Sequence, residues 1–316
     1  MNSDSKFVSG EHPEIQTENP LEKVQLSFIG TGIMAEAIIA GLLRRKLVQP
    51  DQIVGSHPRE NRRGELSTKY GIRMTASNRE AVSATYSESH ESGVVSGSIV
   101  VLTVKPQRIT KVLQELKGTM RPDQLVVSVV AGASIKTIVG QLSHPSVVRA
   151  MPNTPAQIGH GITAWTASGE VTKEQSDRVC AMLEALGKTI QVENERQIDM
   201  ATALSATGPT YLFLVMEALI DAGVHMGFSR HVSEQLVIQM MLGSVLFARE
   251  SGKHPAELRN MVTSPGGTSA AAIYQMEKGS LRTVLSKAVW AAYQRAEALG
   301  KDLQASELKP SAANRE

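Results

Sequence analysis

The sequence predicts two unlike halves: an α/β half built on a doubly wound parallel sheet, followed by an all-α half. Three observations carry this. A short apolar run, Val24 to Ile29, ends at Gly30 and leads into Ile33 to Leu43, whose apolar residues recur at helical spacing, so the chain opens as strand, glycine turn, helix. Further apolar runs of strand length follow, separated by helical stretches; parallel neighbours need such crossovers, which place helices on both faces of the sheet. After about Thr189 the strand signals stop and helical periodicity continues almost to the end.

The remaining strand candidates are Gln52 to Gly55, Ser98 to Val104 and Leu125 to Val130, each bounded by polar or glycine-containing turns. Val147 to Ala150 and Gly161 to Thr166 add two more, and Lys173 to Leu186 reads as a helix closing the domain. In the second half a helix is expected near Pro209, because proline suits a first helical position and Thr207 is placed to cap it. It continues through Tyr211, Leu214, Val215, Ala218 and Leu219; others are expected after Ser233 and after Pro255. The loop Ser264-Pro265-Gly266-Gly267 precedes a helix from Thr268 to Lys278, and a last helix, Leu281 to Leu299, is stopped by Gly300. The expected boundaries are a disordered arm over 1–23, the α/β domain over 24–189, the helical domain over 190–301 and a frayed polar tail over 302–316.

At 316 residues the length suits two domains. Lys and Arg number 33 against 31 Asp and Glu, a net charge of +2, which argues against a partner such as nucleic acid that rewards concentrated positive charge. With 41% hydrophobic and 20% charged residues the chain can bury a substantial core. Cys180 is the only cysteine, which excludes an internal disulfide and a thiolate-rich metal site and fits a reducing cytoplasm. His225 and His231 lack the i,i+4 spacing of a helical zinc site, so no metal is expected. Residues 1–23 contain no apolar stretch of the kind a signal peptide needs. The most apolar region, Tyr211 to Ile220, is short, interrupted by Glu217 and followed by Asp221, so no membrane partner is expected.

Gly30-Thr31-Gly32-Ile33-Met34-Ala35 matches the G-x-G-x-x-G/A fingerprint of Rossmann-type dinucleotide-binding folds. The first glycine permits the tight turn, the second lets backbone approach a pyrophosphate, and the small third residue lets helix and strand pack closely. A diphosphate would sit at the helix N-terminus, where unpaired N–H groups and the dipole favour negative charge. An ordinary glycine turn is the alternative; the strand before and helix after it favour the dinucleotide. About 20 residues on, NAD sites place a carboxylate for the ribose diol. Here that region reads Val54-Gly55-Ser56-His57-Pro58-Arg59, and a hydroxyl with an arginine suits a 2′-phosphate, so NADP(H) is favoured and NAD(H) remains open. The alternative is that Arg59, Arg62 and Arg63 form a solvated helix face.

Four more segments are specific: Thr103-Val104-Lys105-Pro106-Gln107, Arg149-Ala150-Met151-Pro152-Asn153-Thr154-Pro155, Ser205-Ala206-Thr207-Gly208-Pro209-Thr210-Tyr211, and Val262-Thr263-Ser264-Pro265-Gly266-Gly267-Thr268-Ser269. Taken in this order with the glycine turn, they resemble the pyrroline-5-carboxylate reductases over about Val24 to Leu299. The resemblance implies reduction of the cyclic imine 1-pyrroline-5-carboxylate to proline by hydride from NADPH or NADH, the last step of proline biosynthesis. It also implies a helical domain that interlocks with a second subunit as an intertwined dimer, with a decamer as a larger assembly. The family's cofactor contacts fall here on Ile29, Gly30, Thr31, Gly32, Ile33 and Met34 with Ala35, on Ser56, His57 and Arg59, on Asn78, on Thr103, Val104, Lys105 and Pro106, on Val129, Val130 and Ala131, and on Asn153 near the nicotinamide.

The resemblance assigns the substrate to Ser264, Gly266, Gly267, Thr268 and Ser269, and a physical reading agrees. The glycines open a helix start whose N–H groups can receive a carboxylate without an arginine clamp. Ser269 would then aim its hydroxyl at the ring nitrogen as the catalytic residue. The family typically has threonine here; serine keeps the hydroxyl but loses the methyl that restricts its rotamer. Residues 205–210 also depart from the family's usual small-residue motif and read as a packing element. An ordinary Pro-Gly-Gly turn with capping hydroxyls is the bland alternative for the loop. Serine's pKa is far above neutrality, so Ser269 cannot act alone as the acid. Lys105, at a strand end beside Pro106, reads as shape and charge near the cofactor rather than a proton donor. Leu236 to Phe247, apolar nearly all round, fits either a core helix or a subunit interface. Competing functions are a reductase of another imine or a β-hydroxy acid, which would bring a lysine into the helix at Tyr211 to Val224 where none stands, and a non-catalytic cofactor sensor.

Overall fold

The computed structural model describes residues 19–91 and 97–307. Eight strands form one sheet: β1 (Val24–Ile29), β2 (Ile53–Ser56), β3 (Arg73–Thr75), β4 (Gly97–Leu102), β5 (Leu125–Ser128), β6 (Val147–Met151), β7 (Gly161–Ala167) and β8 (Gly187–Gln191), in the order β3-β2-β1-β4-β5-β6-β7-β8. The first six are mutually parallel, as the crossovers predict. β7 runs antiparallel to β6, and β8 parallel to β7, so the far edge is reversed. Ile29 lies in register with both Ser56 and Leu102, which brings the carboxyl ends of β1, β2 and β4 to one edge.

Helices α1 (Ile33–Arg44), α2 (Glu60–Tyr70), α3 (Asn78–Glu91), α4 (Pro106–Leu116), α5 (Ile135–Leu142) and α6 (Lys173–Glu184) join these strands. Alternate strand residues point to opposite faces, and two separate cores result. Phe28, Val101 and Val127 pack with Ile38 and Leu42 of α1 and Leu183 of α6. Ile29, Val100 and Val126 pack with Val82 of α3, Ile109 and Leu113 of α4 and Ile138 of α5. Neither β3 nor β8 carries the apolar run that marks a strand; β8 reads Gly-Lys-Thr-Ile-Gln on an exposed edge, where polar residues guard against unwanted pairing. The expected seam at 189 falls inside β8, and the sheet ends at Gln191.

The second half comprises α7 (Arg196–Ala201), α8 (Gly208–His225), α9 (Arg230–Ser251), α10 (Pro255–Met261), α11 (Thr268–Lys278) and α12 (Leu281–Glu307). Thr207 does not cap a new helix: α7 runs through a π-helical turn, Thr202–Ala206, into α8, and the Thr207 hydroxyl donates back to the Thr202 carbonyl at 2.8 Å. The run Arg196–His225 is thus 30 residues and, by length and composition alone, apolar enough to cross a membrane, which corrects the expectation of a short interrupted stretch. α9 begins at Arg230 with Ser229 as its cap; Ser233 instead packs against Gly223 of α8, where a Cβ would come within 2.6 Å of the serine Oγ.

Both ends of the chain also differ from expectation. Residues 19–23 belong to the α/β half: Leu21 is fully buried and Asn19 donates to the Leu47 carbonyl at 2.8 Å, while 1–18 lie outside the described residues. Gly300 does not stop α12. It lets the helix pass against the turn at Gly132, where a Cβ on Gly300 would stand 3.2 Å from the Gly132 carbonyl oxygen. α12 continues to Glu307 because Leu303 packs against the second core; 308–316 lie outside the described residues.

Candidate functional site

The glycine turn sits where β1, β2 and β4 end. Gly30 has φ +88, and an added Cβ would stand 2.4 Å from Val104 Cγ1, so only glycine fits between the two strand ends. The turn is held from both sides. Gly30 and Thr31 N–H donate to the Ser56 carbonyl at 3.2 and 3.1 Å, and the Thr103 hydroxyl donates to the Gly30 carbonyl at 2.9 Å. Gly32 caps α1 with extended backbone, no side-chain capping bond and nothing within 4 Å of an ideal Cβ. The helix N-terminus is therefore bare, uncapped and open in front, which is the arrangement a diphosphate requires.

A cavity of about 530 Å³ opens there. Of the residues expected at the cofactor, Gly30, Gly32, His57, Arg59, Asn78, Thr103, Val104 and Lys105 line it. Ile29, Thr31, Ala35, Ser56 and Val130 are buried, so their side chains shape the edge from beneath. Ser56 in particular faces inward: its hydroxyl donates to Asn78 Oδ1 at 2.7 Å, and it is absent from the lining. Met34 packs on the first core, Ile33 is 71% exposed, and Pro106 opens α4. Val129, Val130 and Ala131 follow β5, and Asn153 follows β6, further along the sheet edge and outside the lining; Asn153 Oδ1 accepts from Ile162 N–H at 3.0 Å.

The arginine reading needs correction. Arg62 does not face the cavity with a free guanidinium: it pairs with Glu36 in the first turn of α1 and Glu65 on its own helix, and its Nε donates to the Thr31 carbonyl at 3.3 Å. Arg63 donates to the His57 and Pro58 carbonyls, both at 3.0 Å. These two brace the turn, and Arg59 alone reaches the lining. Burial raises the Glu36 carboxyl pKa, but hydrogen bonds from Lys69, Arg62 and Tyr70 outweigh it and hold the group at about 2. Partial burial, reinforced by the charges of Arg59, Arg62 and Arg63, pushes the His57 imidazole below its ordinary value.

Sequence reasoning missed one wall. α4 contributes Arg108, Lys111, Val112 and Glu115 to the lining, at helical spacing, while Ile109, Leu113 and Leu116 bury the opposite side. The spacing was visible beyond Lys105-Pro106, but exposed charges on a helix usually signify only solvation. Glu115 Oε2 accepts from Asn78 Nδ2 at 2.9 Å, so Asn78 is oriented by Ser56 on one side and Glu115 on the other.

The loop that the sequence assigns to the substrate forms a tight turn before α11. Gly267 N–H donates to the Ser264 carbonyl at 3.1 Å, Gly266 has φ +69, and Gly267 caps α11 without a side-chain bond. The first intrahelical bond, from Ala271 to Gly267, leaves the N–H groups of Thr268, Ser269 and Ala270 without helical partners. Ser264, Gly266, Gly267, Thr268 and Ser269 do not line the cavity at the glycine turn. Among the described residues no group of three His, Cys, Asp or Glu is placed to hold a metal ion.

Comparison with known proteins follows this division. Residues 195–299 match the family described as pyrroline-5-carboxylate reductase dimerisation, and residues 25–132 that described as NADP oxidoreductase, coenzyme F420-dependent. A pyrroline-5-carboxylate reductase of Synechocystis is 38% identical over 279 residues, covering 88% of this chain and 99% of the relative. The chain belongs to the pyrroline-5-carboxylate reductase family. The Pseudomonas aeruginosa reductase is 37% identical over 88% of this chain and 98% of its own. Among solved structures, the Coxiella burnetii reductase superposes with a TM-score of 0.75 at 34% identity over 88% and 99% of the two chains. The Plasmodium falciparum reductase with NADP bound gives 0.78 at 28% identity over 89% and 99%. The long apolar run Arg196–His225 lies wholly within the dimerisation match.

Proposed function

We propose that this chain reduces 1-pyrroline-5-carboxylate to L-proline with NADPH, NADH serving as a poorer donor, as a cytoplasmic homodimer that can assemble further to a decamer, with neither a nucleic-acid nor a membrane partner. The observation that supports it most is the bare N-terminus of α1 at Gly32 beside a cavity whose wall is basic, within a chain that matches the reductases over nearly their whole length. When bound, the nicotinamide supplies the hydride.

The chain's own residues orient, hold and exclude. Thr103 and Ser56 fix the glycine turn, and Val104 presses against it. The uncapped N–H groups at the start of α11 receive the substrate carboxylate. Ser269 hydrogen-bonds the ring nitrogen and aligns the C=N carbon for hydride; the proton that nitrogen gains comes from solvent, or the substrate arrives as the iminium, because a serine hydroxyl is too weak an acid. Because the loop lies outside the cofactor cavity of its own chain, a second subunit supplies it, and the exposed faces of α8 and α9 are the surfaces on which that subunit seats.

The test is NADPH oxidation on adding 1-pyrroline-5-carboxylate to the purified protein, with proline as product. Turnover is expected. NADPH binding without turnover on this imine would favour a cofactor sensor or a reductase of another imine.

A further inference from the structure

Several cations of the α/β half have partners. Arg62 and Lys69 are held by Glu36, Arg63 by backbone carbonyls, Arg121 by Asp123 and Lys173 by Asp177. Among the cations without such a partner, four share one cavity: Lys105, Arg108 and Lys111 from the start and face of α4, and Arg59 from the cap of α2. None of the four side chains has a hydrogen-bonding or ion-pair partner among the described residues. The one carboxylate in the lining, Glu115, has an oxygen committed to Asn78, and His57 beside Arg59 is held toward neutrality. Gathering like charges around a cavity is unfavourable unless an anion offsets them.

The diphosphate cannot be that anion for all four. It belongs at Gly32, where the end of α1 supplies backbone N–H groups and dipole, with Lys105 at the neighbouring strand end. Arg108 and Lys111 lie on the first two turns of α4 and line the same cavity as Asn78 and Arg59. The anion that reaches this end of a dinucleotide is the phosphate on the adenosine ribose.

Resting on the reductase reading above, we propose that α4 carries half of the cofactor discrimination: Arg108 and Lys111, with Arg59 from the α2 cap, clamp the 2′-phosphate of NADPH. Glu115 does not meet the phosphate; it orients Asn78, and through it the floor at Ser56. The discrimination is therefore spread over two helices, only one of which lies in the β2–α2 segment where such residues are ordinarily sought.

The experiment is a pair of fluorescence titrations, NADPH and NADH, on wild type, R108Q, K111Q and the double variant, repeated with the fragments 2′,5′-ADP and 5′-AMP. K117Q, just past the end of α4 and outside the lining, controls for overall charge. Losing each charged contact is expected to weaken NADPH and 2′,5′-ADP about tenfold, and the pair together more, while NADH and 5′-AMP change less than about twofold. Equal losses for phosphorylated and unphosphorylated ligands, no loss at all, or the same loss in K117Q would overturn the clamp while leaving the reductase reading intact. A wild type that binds neither dinucleotide would overturn that reading and the clamp with it.

Discussion

The two halves of this chain solve burial differently. In the α/β half nearly every large apolar side chain is covered, in two cores on either face of the sheet, and even Arg149, 2% exposed, is paired with Glu195 and Asp199 at 2.9 and 2.6 Å. In the helical half α8 buries only Ile220 and Gly223, α9 only Ser233, and α10 and α11 nothing; Leu214 and Val245 are 67% and 62% exposed. Each such side chain would contribute about 1.5–3 kcal/mol on full burial, so a face of this extent is stable only against another surface. One half buries its apolar side chains within the single chain and the other does not, and the cavity at the glycine turn is lined by residues of the first half alone.

The strongest break of this contrast is a charge on the unpartnered face. Leu214→Asp is expected to give a monomer by analytical ultracentrifugation and to lower kcat/KM more than about a hundredfold, because a desolvated unpaired carboxylate is not tolerated in an interface. NADPH affinity should stay unchanged, since its cavity is built within one chain; joint loss of both would mean that the halves are not separable. Next in size is the tie between the halves. Arg149→Met leaves Glu195 and Asp199 facing a neutral side chain and is expected to cost about 3–5 kcal/mol, read as a lower midpoint in urea.

Ser269→Ala should act on the helical side alone, reducing kcat/KM by about ten- to a hundredfold without altering the Kd for NADPH. Wild-type kcat/KM in that variant would remove Ser269 from the chemistry. The smallest effect belongs to the cofactor side. Glu36→Gln is expected to cost about 1–3 kcal/mol at neutral pH. The Glu36 carboxyl is held at about 2, below its ordinary value, so its contribution is full above that ordinary value and is lost as pH falls toward 2. Wild type and variant should therefore converge in urea denaturation as the buffer is acidified across this window.

Legibility in the sequence followed the same line. β1, the glycine turn and α1 were readable because strand, turn and helix signals agree within a dozen residues. The edges were not: β3 and β8 are short and polar, and exposed edge strands need no apolar run. Gly300 misled because a glycine inside a helix can serve close passage as well as termination, and the deciding neighbour, Gly132, is far away in sequence. Arg62 and Arg63 misled for a related reason. Their partners Glu36 and the His57 and Pro58 carbonyls are set by the fold, so a run of arginines that suggested one phosphate site divides into two braces and one lining residue.

The central claim, that the glycine turn of one chain works with the Ser264 to Ser269 loop of another, has a direct test. A turn-broken variant, Gly30→Val, and a loop-broken variant, Gly267→Val with Ser269→Ala, are each made inactive, then unfolded, mixed in equal amounts and refolded. If sites form between chains, half of the dimers are hybrids with one intact site of two, and about a quarter of wild-type activity returns. If each chain completes its own site, every site in every dimer carries one defect and the mixture stays as inactive as its parts.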